Sequence, residues 1–274
     1  MGASMKQVRE VPALPPRAPD AHKGDFGRVA IFAGSADMLG AAVLCARAAL
    51  RGGAGLVSVG LPPPLRSLLP LAVPEATTFA RDAHGVPAGI AAASAVVAGP
   101  GLGAGDSTRE LLRGLLPAVR VPLVLDADAL NALAPLAQPI AAGGGLVTTP
   151  HPGEAARLLG SDTASVQRDR LAAVTALQAR AGGVAVLKGA ATLVCDGERV
   201  YTNDTGNPGM ATAGAGDVLA GLLGALLARG VAPFEAACLA VKVHGAAGDL
   251  AAGECGQNGL LASDLIDRLP RVLR

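Results

Sequence analysis

Asp217 ends an eleven-residue stretch, Asn207-Pro208-Gly209-Met210-Ala211-Thr212-Ala213-Gly214-Ala215-Gly216-Asp217, that runs into an apolar segment with helical character. Mostly small residues let the backbone come close to a ligand. A helix start adds unpaired N–H groups and the positive end of the helix dipole, which together suit a phosphate. A carboxylate at that point can take a proton from a substrate hydroxyl beside an arriving phosphoryl group. Asp217 could also be an ordinary helix cap. The length of the small-residue run before it favours the chemical reading.

Four other groups of residues could take part. Lys188, in Leu187-Lys188-Gly189-Ala190-Ala191-Thr192, is one of only four lysines in a chain whose basic residues are nearly all arginine. It ends an apolar run, where a lysine needs an anionic partner. Thr148-Thr149-Pro150-His151-Pro152-Gly153-Glu154 sets a histidine and a glutamate three apart at a helix start, with Pro152 in the first turn. Leu125-Asp126-Ala127-Asp128-Ala129-Leu130-Asn131 puts two carboxylates at a strand end. There Asp126 is the better functional candidate, orienting substrate or a metal-bound water, and Asp128 reads equally as an N-cap or a substrate contact. Gly99-Pro100-Gly101-Leu102-Gly103 follows a strand but lacks the spacing of a dinucleotide fingerprint. A dehydrogenase is therefore not indicated. His244 and Asp249 lie about 140° apart on one late helix, so they form no metal face, and Gly245 and Gly248 between them suggest close helix packing.

The elements that must position these groups alternate. Strands are expected at Arg28–Ala33, Gly55–Val59, Glu75–Phe79, Ala95–Ala98, Pro122–Leu125, Leu146–Thr148 and Val184–Leu187. A hairpin follows, from Thr192–Cys195 and Glu198–Tyr201 around Asp196-Gly197. Helices are expected at Gly40–Arg51, Ser107–Leu116, Thr163–Arg180, Asp217–Arg229 and Pro233–Ala252. Shorter ones are expected at Pro62–Leu69 and Ala129–Leu133, and a last one capped by Ser263. Alternation of this kind gives an α/β fold: a mostly parallel central sheet covered on both faces, with a few antiparallel edge strands. Ligands of such sheets sit at the carboxyl ends of the strands, where most of the motifs above fall. Residues 1–22 read as a Pro-rich arm and 23–274 as a single catalytic domain.

Composition narrows the function further. A net charge of +1, 2% aromatic residues and no tryptophan argue against nucleic acid as a partner, and the charge argues against an acidic membrane surface. Cys45, Cys195, Cys238 and Cys255 form no CxxC pair, so neither a zinc site nor a disulfide framework is indicated. The first twenty residues lack the apolar core of a signal peptide. The longest apolar run, Val218–Ala228, falls short of the roughly 20 residues needed to span a bilayer. These features point to a cytoplasmic enzyme.

The motifs, taken in order, resemble the ADP/ATP-dependent NAD(P)H-hydrate dehydratases of the ribokinase-like superfamily over nearly all of residues 23–269. Gly214-Ala215-Gly216-Asp217 matches the superfamily's Gly-Ala-Gly-Asp loop. The dehydratases usually read Gly-Gly-Thr-Gly-Asp, so Ala213 and Ala215 depart from that pattern; the backbone N–H groups survive both changes, and a hydroxyl at 215 does not. Lys23-Gly24-Asp25-Phe26-Gly27, Ala33-Gly34-Ser35 and Gly40-Ala41-Ala42 resemble the family's opening, and His151-Pro152-Gly153-Glu154 its substrate-contacting histidine segment.

The resemblance implies a three-layer αβα sandwich and dehydration of the S-form of hydrated NADH or NADPH, with ADP going to AMP. Asp217 would be the base, and Gly214, Ala215 and Gly216 the anion hole. Ala41, Gly103, His151, Asp126 and Asp217 would contact substrate. Lys188, Gly189, Ala190, Ala191, Thr192 and Gly216 would hold the nucleotide. Glu154 would act on Mg²⁺ indirectly, and the oligomer would be a homotetramer. Twenty-two residues before Lys23 cannot hold the epimerase domain that often accompanies this family, so an epimerase would be a separate partner. The alternatives are a small-molecule kinase of the hydroxyethylthiazole-kinase type and a non-catalytic nucleotide-binding regulator.

Overall fold

The computed structural model describes residues 5–14, 16–82 and 85–273. Its strands are β1 (Lys6–Val8), β2 (Arg28–Phe32), β3 (Leu56–Leu61), β4 (Thr77–Ala80), β5 (Ala95–Ala98), β6 (Leu123–Leu125), β7 (Leu146–Thr148), β8 (Val184–Leu187), β9 (Leu193–Cys195) and β10 (Arg199–Thr202). Its helices are α1 (Leu39–Arg51), α2 (Leu69–Ala72), α3 (Gly85–Ala91), α4 (Asp106–Leu115), α5 (Ala127–Leu133), α6 (Pro152–Leu159), α7 (Thr163–Arg168), α8 (Arg170–Ala181), α9 (Ala215–Ala228), α10 (Pro233–Cys255) and α11 (Ala262–Val272).

Among the described residues the strands form one sheet in the order β1-β10-β9-β8-β7-β6-β5-β2-β3-β4. Pairing is parallel from β8 through β4 and antiparallel across β8-β9-β10. Alternate residues of each strand face opposite sides. Val29 and Ile31 join the core made with α1, α9, α10 and α11. Ala30 and Phe32 join the core made with α4, α5, α6 and α8. Helices therefore cover both faces of a mostly parallel sheet, the three layers that the strand–helix alternation implies.

Several details differ from the sequence expectation. The arm contributes β1, which pairs in parallel with β10 and takes the sheet edge; three residues are too few to show a period. The helix expected over Thr163–Arg180 breaks at Asp169, whose carboxylate accepts from Ala172 N–H at 2.9 Å and starts a new helix. The side chain competes there with the helical backbone. The last helix begins after Leu261 instead of Ser263, with the Asp264 carboxylate accepting from Leu261 N–H at 2.8 Å. The single helix expected over Pro62–Leu69 is a 3₁₀ turn at Pro63–Leu65 followed by α2. The helix α3 had no counterpart in the sequence reading.

With so few aromatic residues, close approach of small ones does the packing. The inner face of α1 is Ala42, Cys45, Ala46, Ala48 and Ala49. It meets α9 so closely that a Cβ on Gly221 would lie 2.1 Å from the Cys45 carbonyl oxygen. Gly221→Ala gains about 1 kcal/mol in helix propensity but collides with backbone that cannot give way. We expect a net loss of about 2 kcal/mol or more by urea denaturation; a stabilised variant would refute this account of the α1–α9 contact.

Candidate active site

The strand order β8-β7-β6-β5-β2 sets five strand ends side by side. From them emerge, in turn, Lys188, His151, Asp126, the Gly99–Gly103 loop and Gly34. The direction of winding reverses between β5 and β2, where parallel sheets open a crevice for ligands. The loop and turn are tied across it, Gly34 N–H donating to the Pro100 carbonyl at 2.8 Å. The helix α9 packs on β2, β5 and β6 and brings its first turn to the crevice. A Cβ on Gly216 would lie 3.3 Å from Lys188 Nζ and 3.8 Å from Asp126 Oδ2.

Below that turn, Lys188 Nζ donates to Asp126 Oδ1 at 2.7 Å and lies 3.9 Å from Glu154 Oε2. Asp126 and Glu154 are buried. Burial alone would pull the lysine's pKa down, but the charges of Asp126 and Glu154 and the Asp126 hydrogen bond hold it above the usual value. Glu154 is shifted upward, chiefly by burial. The anionic partner that the sequence required for Lys188 is therefore Asp126.

Asp217 forms no hydrogen bond or ion pair with any described residue. Burial, then the charge of Asp126, raises its pKa from 3.8 to about 7; Lys188 opposes the rise and Asp128 adds to it. A half-protonated, unengaged carboxylate near neutrality is what a general base needs. Asp217 is the third residue of α9, and the cap position belongs to Gly214. Gly214 sits at φ +88°, where a Cβ would come 2.4 Å from Leu44 Cδ1. The first N–H groups of α9 have no intrahelical acceptor, so the helix opens as an anion-receptive end with the Asp217 carboxylate beside it.

A contact not foreseen as functional supports that end. The half-buried His244 lies with Nε2 2.9 Å from the Ala215 carbonyl oxygen. Burial lowers its pKa to about 4, so the ring is neutral and Nε2 is the donor. In the sequence His244 is only a histidine among small helical residues, which reads as structural. The packing expected from Gly245 and Gly248 is present: added Cβ atoms would come 2.2 Å from Thr205 Oγ1 and 2.3 Å from Met210 Sδ.

His151 caps α6, its Nδ1 accepting from the N–H groups of Gly153 at 3.0 Å and Glu154 at 3.3 Å, while Glu154 Oε2 accepts from His151 N–H at 2.8 Å. Accepting at Nδ1 places the ring proton on Nε2, 3.2 Å from Glu154 Oε1. Burial, then Lys188, lowers the histidine's pKa. The ring is thus a neutral donor at the crevice wall. Asp128 does not cap α5: the cap position is Asp126, and Asp128 Oδ2 accepts from Gly103 N–H at 2.8 Å. Ala41 faces the same loop, its Cβ 2.8 Å from where a Cβ on Gly101 would be.

The stretch assigned to nucleotide divides. The Lys188 side chain turns into the carboxylate cluster, while Gly189, Ala190 and Ala191 form an exposed turn closed by Thr192 Oγ1 donating to the Gly189 carbonyl at 2.8 Å. Gly189 at φ +128° and Ala191 at φ +50° give the turn its shape. No group of three or more acidic, histidine or cysteine side chains suited to hold a metal occurs among the described residues. Both Glu154 oxygens already face His151. A magnesium ion at this site would therefore have to be carried mainly by phosphate oxygens and water, with Glu154 left to reach it through water.

Sheet order and site together define an α/β protein of the ribokinase-like class. The family model described as NAD(P)H-hydrate dehydratase matches residues 29–271, and the chain belongs to that family. It is 46% identical over 259 residues to an ADP-dependent (S)-NAD(P)H-hydrate dehydratase of Neisseria meningitidis serogroup B, covering 91% of this chain and 86% of that one. It is 44% identical over 277 residues to a bifunctional NAD(P)H-hydrate repair enzyme of Moorella thermoacetica, covering 95% of this chain. It spans 52% of that relative, about half its length. The crystal structure of an ADP/ATP-dependent NAD(P)H-hydrate dehydratase from Bacillus subtilis, co-crystallized with ATP/Mg²⁺, superposes with a TM-score of 0.85 at 34% identity, covering 95% of this chain and 93% of that one.

Two stability measurements check the electrostatics. Lys188→Met leaves Asp126 buried without its cation, and we expect a loss of about 3–5 kcal/mol at pH 7. The double variant with Asp126→Asn should recover much of it, and a cycle showing no coupling would refute the pairing. Asp217, with its folded pKa raised, adds stability below about pH 4 that is lost as pH rises through 7. Asp217→Asn should therefore be more stable than the parent by about 2 kcal/mol or more at pH 8 and indistinguishable from it below pH 4. Equal melting temperatures at pH 8 would refute the raised pKa of Asp217.

Proposed function

We propose that this chain catalyses nucleotide-dependent dehydration of the S-form of hydrated NADH and NADPH, restoring NADH or NADPH, with ADP as phosphoryl donor giving AMP and phosphate. One observation carries the reading: an unengaged carboxylate, Asp217, with a pKa of about 7, stands at the anion-receptive start of a buried helix. The names of the relatives above, which specify this hydrate or a co-crystallised nucleotide, and the strand-end crevice beside Asp217 support the reading.

The hydrate carries a hydroxyl on the ring carbon next to the ring nitrogen. Hydroxide leaves poorly and phosphate leaves well. Asp217 takes the hydroxyl proton as that oxygen attacks the terminal phosphoryl group, and the Gly214, Ala215 and Gly216 backbone receives the moving charge. The ring nitrogen's lone pair then expels phosphate, and loss of the adjacent proton restores the dihydropyridine. His151, Gly103, Ala41 and Asp126 hold the hydrate. Gly189 to Thr192 take the nucleotide, and Lys188 orders the carboxylates beneath them. Mg²⁺ would supply positive charge against the nucleotide phosphates, with Glu154 reaching it through water. The same reading makes residues 23–274 the catalytic domain, the assembly a homotetramer and the compartment the cytoplasm. No helix among the described residues is long and apolar enough to cross a membrane.

Chemically hydrated NADH, mixed with the protein, Mg²⁺ and either ADP or ATP, should recover dihydronicotinamide absorbance. Asp217→Asn should slow recovery by about 10²–10⁴-fold. With the base needed unprotonated, kcat/KM should fall below about pH 7. Absence of recovery with both nucleotides, from folded protein that binds them, would overturn the proposal and favour a kinase of small alcohols.

A further inference from the structure

A cleft of about 650 Å³ opens beside the crevice, lined among others by Pro63, Arg81, Leu102, Ser107, Leu111 and Gly114. That volume suits a small organic ligand. Its walls are the segments that follow β3 and β4 and one side of α4, so it opens at the carboxyl end of the sheet. None of the residues assigned above to catalysis or nucleotide lines it.

Arg81 is the cation of this cleft. Its Nη1 donates to the carbonyls of Ala33 at 3.0 Å and Gly34 at 2.7 Å. These fix the guanidinium against the turn that ends β2. Arg81 makes no ion pair with any described residue, and its Nε and Nη2 donate to none of them. Burial lowers its pKa to about 10, so it keeps its charge at neutral pH. Asp82 and Glu110, which also line the cleft, are exposed. A guanidinium held in place, partly desolvated and with free donors, is a receptor for phosphate.

The cleft shares a wall with the catalytic crevice. On one side of the glycine loop, Gly103 N–H donates to Asp128 Oδ2 at 2.8 Å; on the other, Thr108 Oγ1 on α4 donates to the Gly103 carbonyl at 2.7 Å. Leu102, in the same loop, lines the cleft. A ligand whose ring lies over Asp217 can thus extend past Gly103 toward Arg81. The hydrated dinucleotide has such an extension: its nicotinamide ribose continues through a diphosphate into adenosine, and the NADPH form adds a 2′-phosphate.

We propose that this cleft receives the adenylate half of the hydrated dinucleotide, with a phosphate of that half against Arg81, and so selects dinucleotide over mononucleotide hydrates. This rests on the dehydratase reading.

The test compares three substrates on the full chain: the hydrates of NADH, NADPH and reduced nicotinamide mononucleotide. The variants are Arg81→Gln and Gly114→Leu. A Cβ on Gly114 meets nothing within 4 Å, so leucine there fills the cleft from α4 without touching the Arg81 contacts to Ala33 and Gly34. In each variant, kcat/KM for dinucleotide hydrate relative to mononucleotide hydrate should fall about tenfold or more through KM, with KM for ADP unchanged. A fall in either variant supports the proposal. Loss for both dinucleotides names the diphosphate, and loss for the NADPH hydrate alone names the 2′-phosphate. A ratio unchanged in both variants, whether activity holds or drops equally on all three substrates, overturns it. No recovery of any hydrate by the unsubstituted chain overturns the dehydratase reading itself, and this proposal with it.

Discussion

One ammonium group holds the floor of the site. Lys188 donates to Asp126, approaches Glu154 and lies under Gly216, so three strand ends and the start of α9 meet around a single positive charge. Three carboxylates share it unequally. Asp126 takes the hydrogen bond, Glu154 is occupied by His151, and Asp217 has no hydrogen-bond partner among the described residues. A half-buried acid repelled by a neighbouring acid and only weakly compensated titrates near neutrality. The reactivity assigned to Asp217 thus follows from how the lysine's charge is divided, and the strand order is what gathers those claimants.

Small residues then let the helix layer come close enough for this division to matter. Gly221 seats α9 on the Cys45 carbonyl of α1, and Gly224 seats it on Val97 of β5. With the body of α9 buried on all sides, its first turn stands over the crevice on a fixed support, and His244 braces the Ala215 carbonyl from α10. A chain with 2% aromatic residues achieves this by removing side-chain volume.

The reading from sequence went furthest where a residue's chemistry and its local backbone coincide. Gly214 needs a positive φ and Asp217 follows it into a helix, so loop, helix start and carboxylate were all visible in four letters. Lys188 announced a partner because an apolar strand end cannot hold a bare ammonium. The same reasoning could not name Asp126 as that partner, since their meeting depends on β6 and β8 flanking β7. Asp169 hid a helix break because a mid-segment aspartate looks the same whether it caps or faces water. Arg81 gave no signal: nineteen arginines mask the one held by the carbonyls of Ala33 and Gly34. The short β1 needed the β10 edge to exist before it could be a strand at all.

The confinement of α9 also bears on how such a protein can change over generations. From Val218 to Ala228 every position is enclosed, and at Gly221 and Gly224 even a methyl group has no room. Sequence drift along this helix is therefore restricted to its opening turn. New substrate preferences would have to arise from the opposite bank, in the glycine loop, the segments after β3 and β4, and α4. A lineage built on this scaffold can swap what it acts upon far more readily than how it acts.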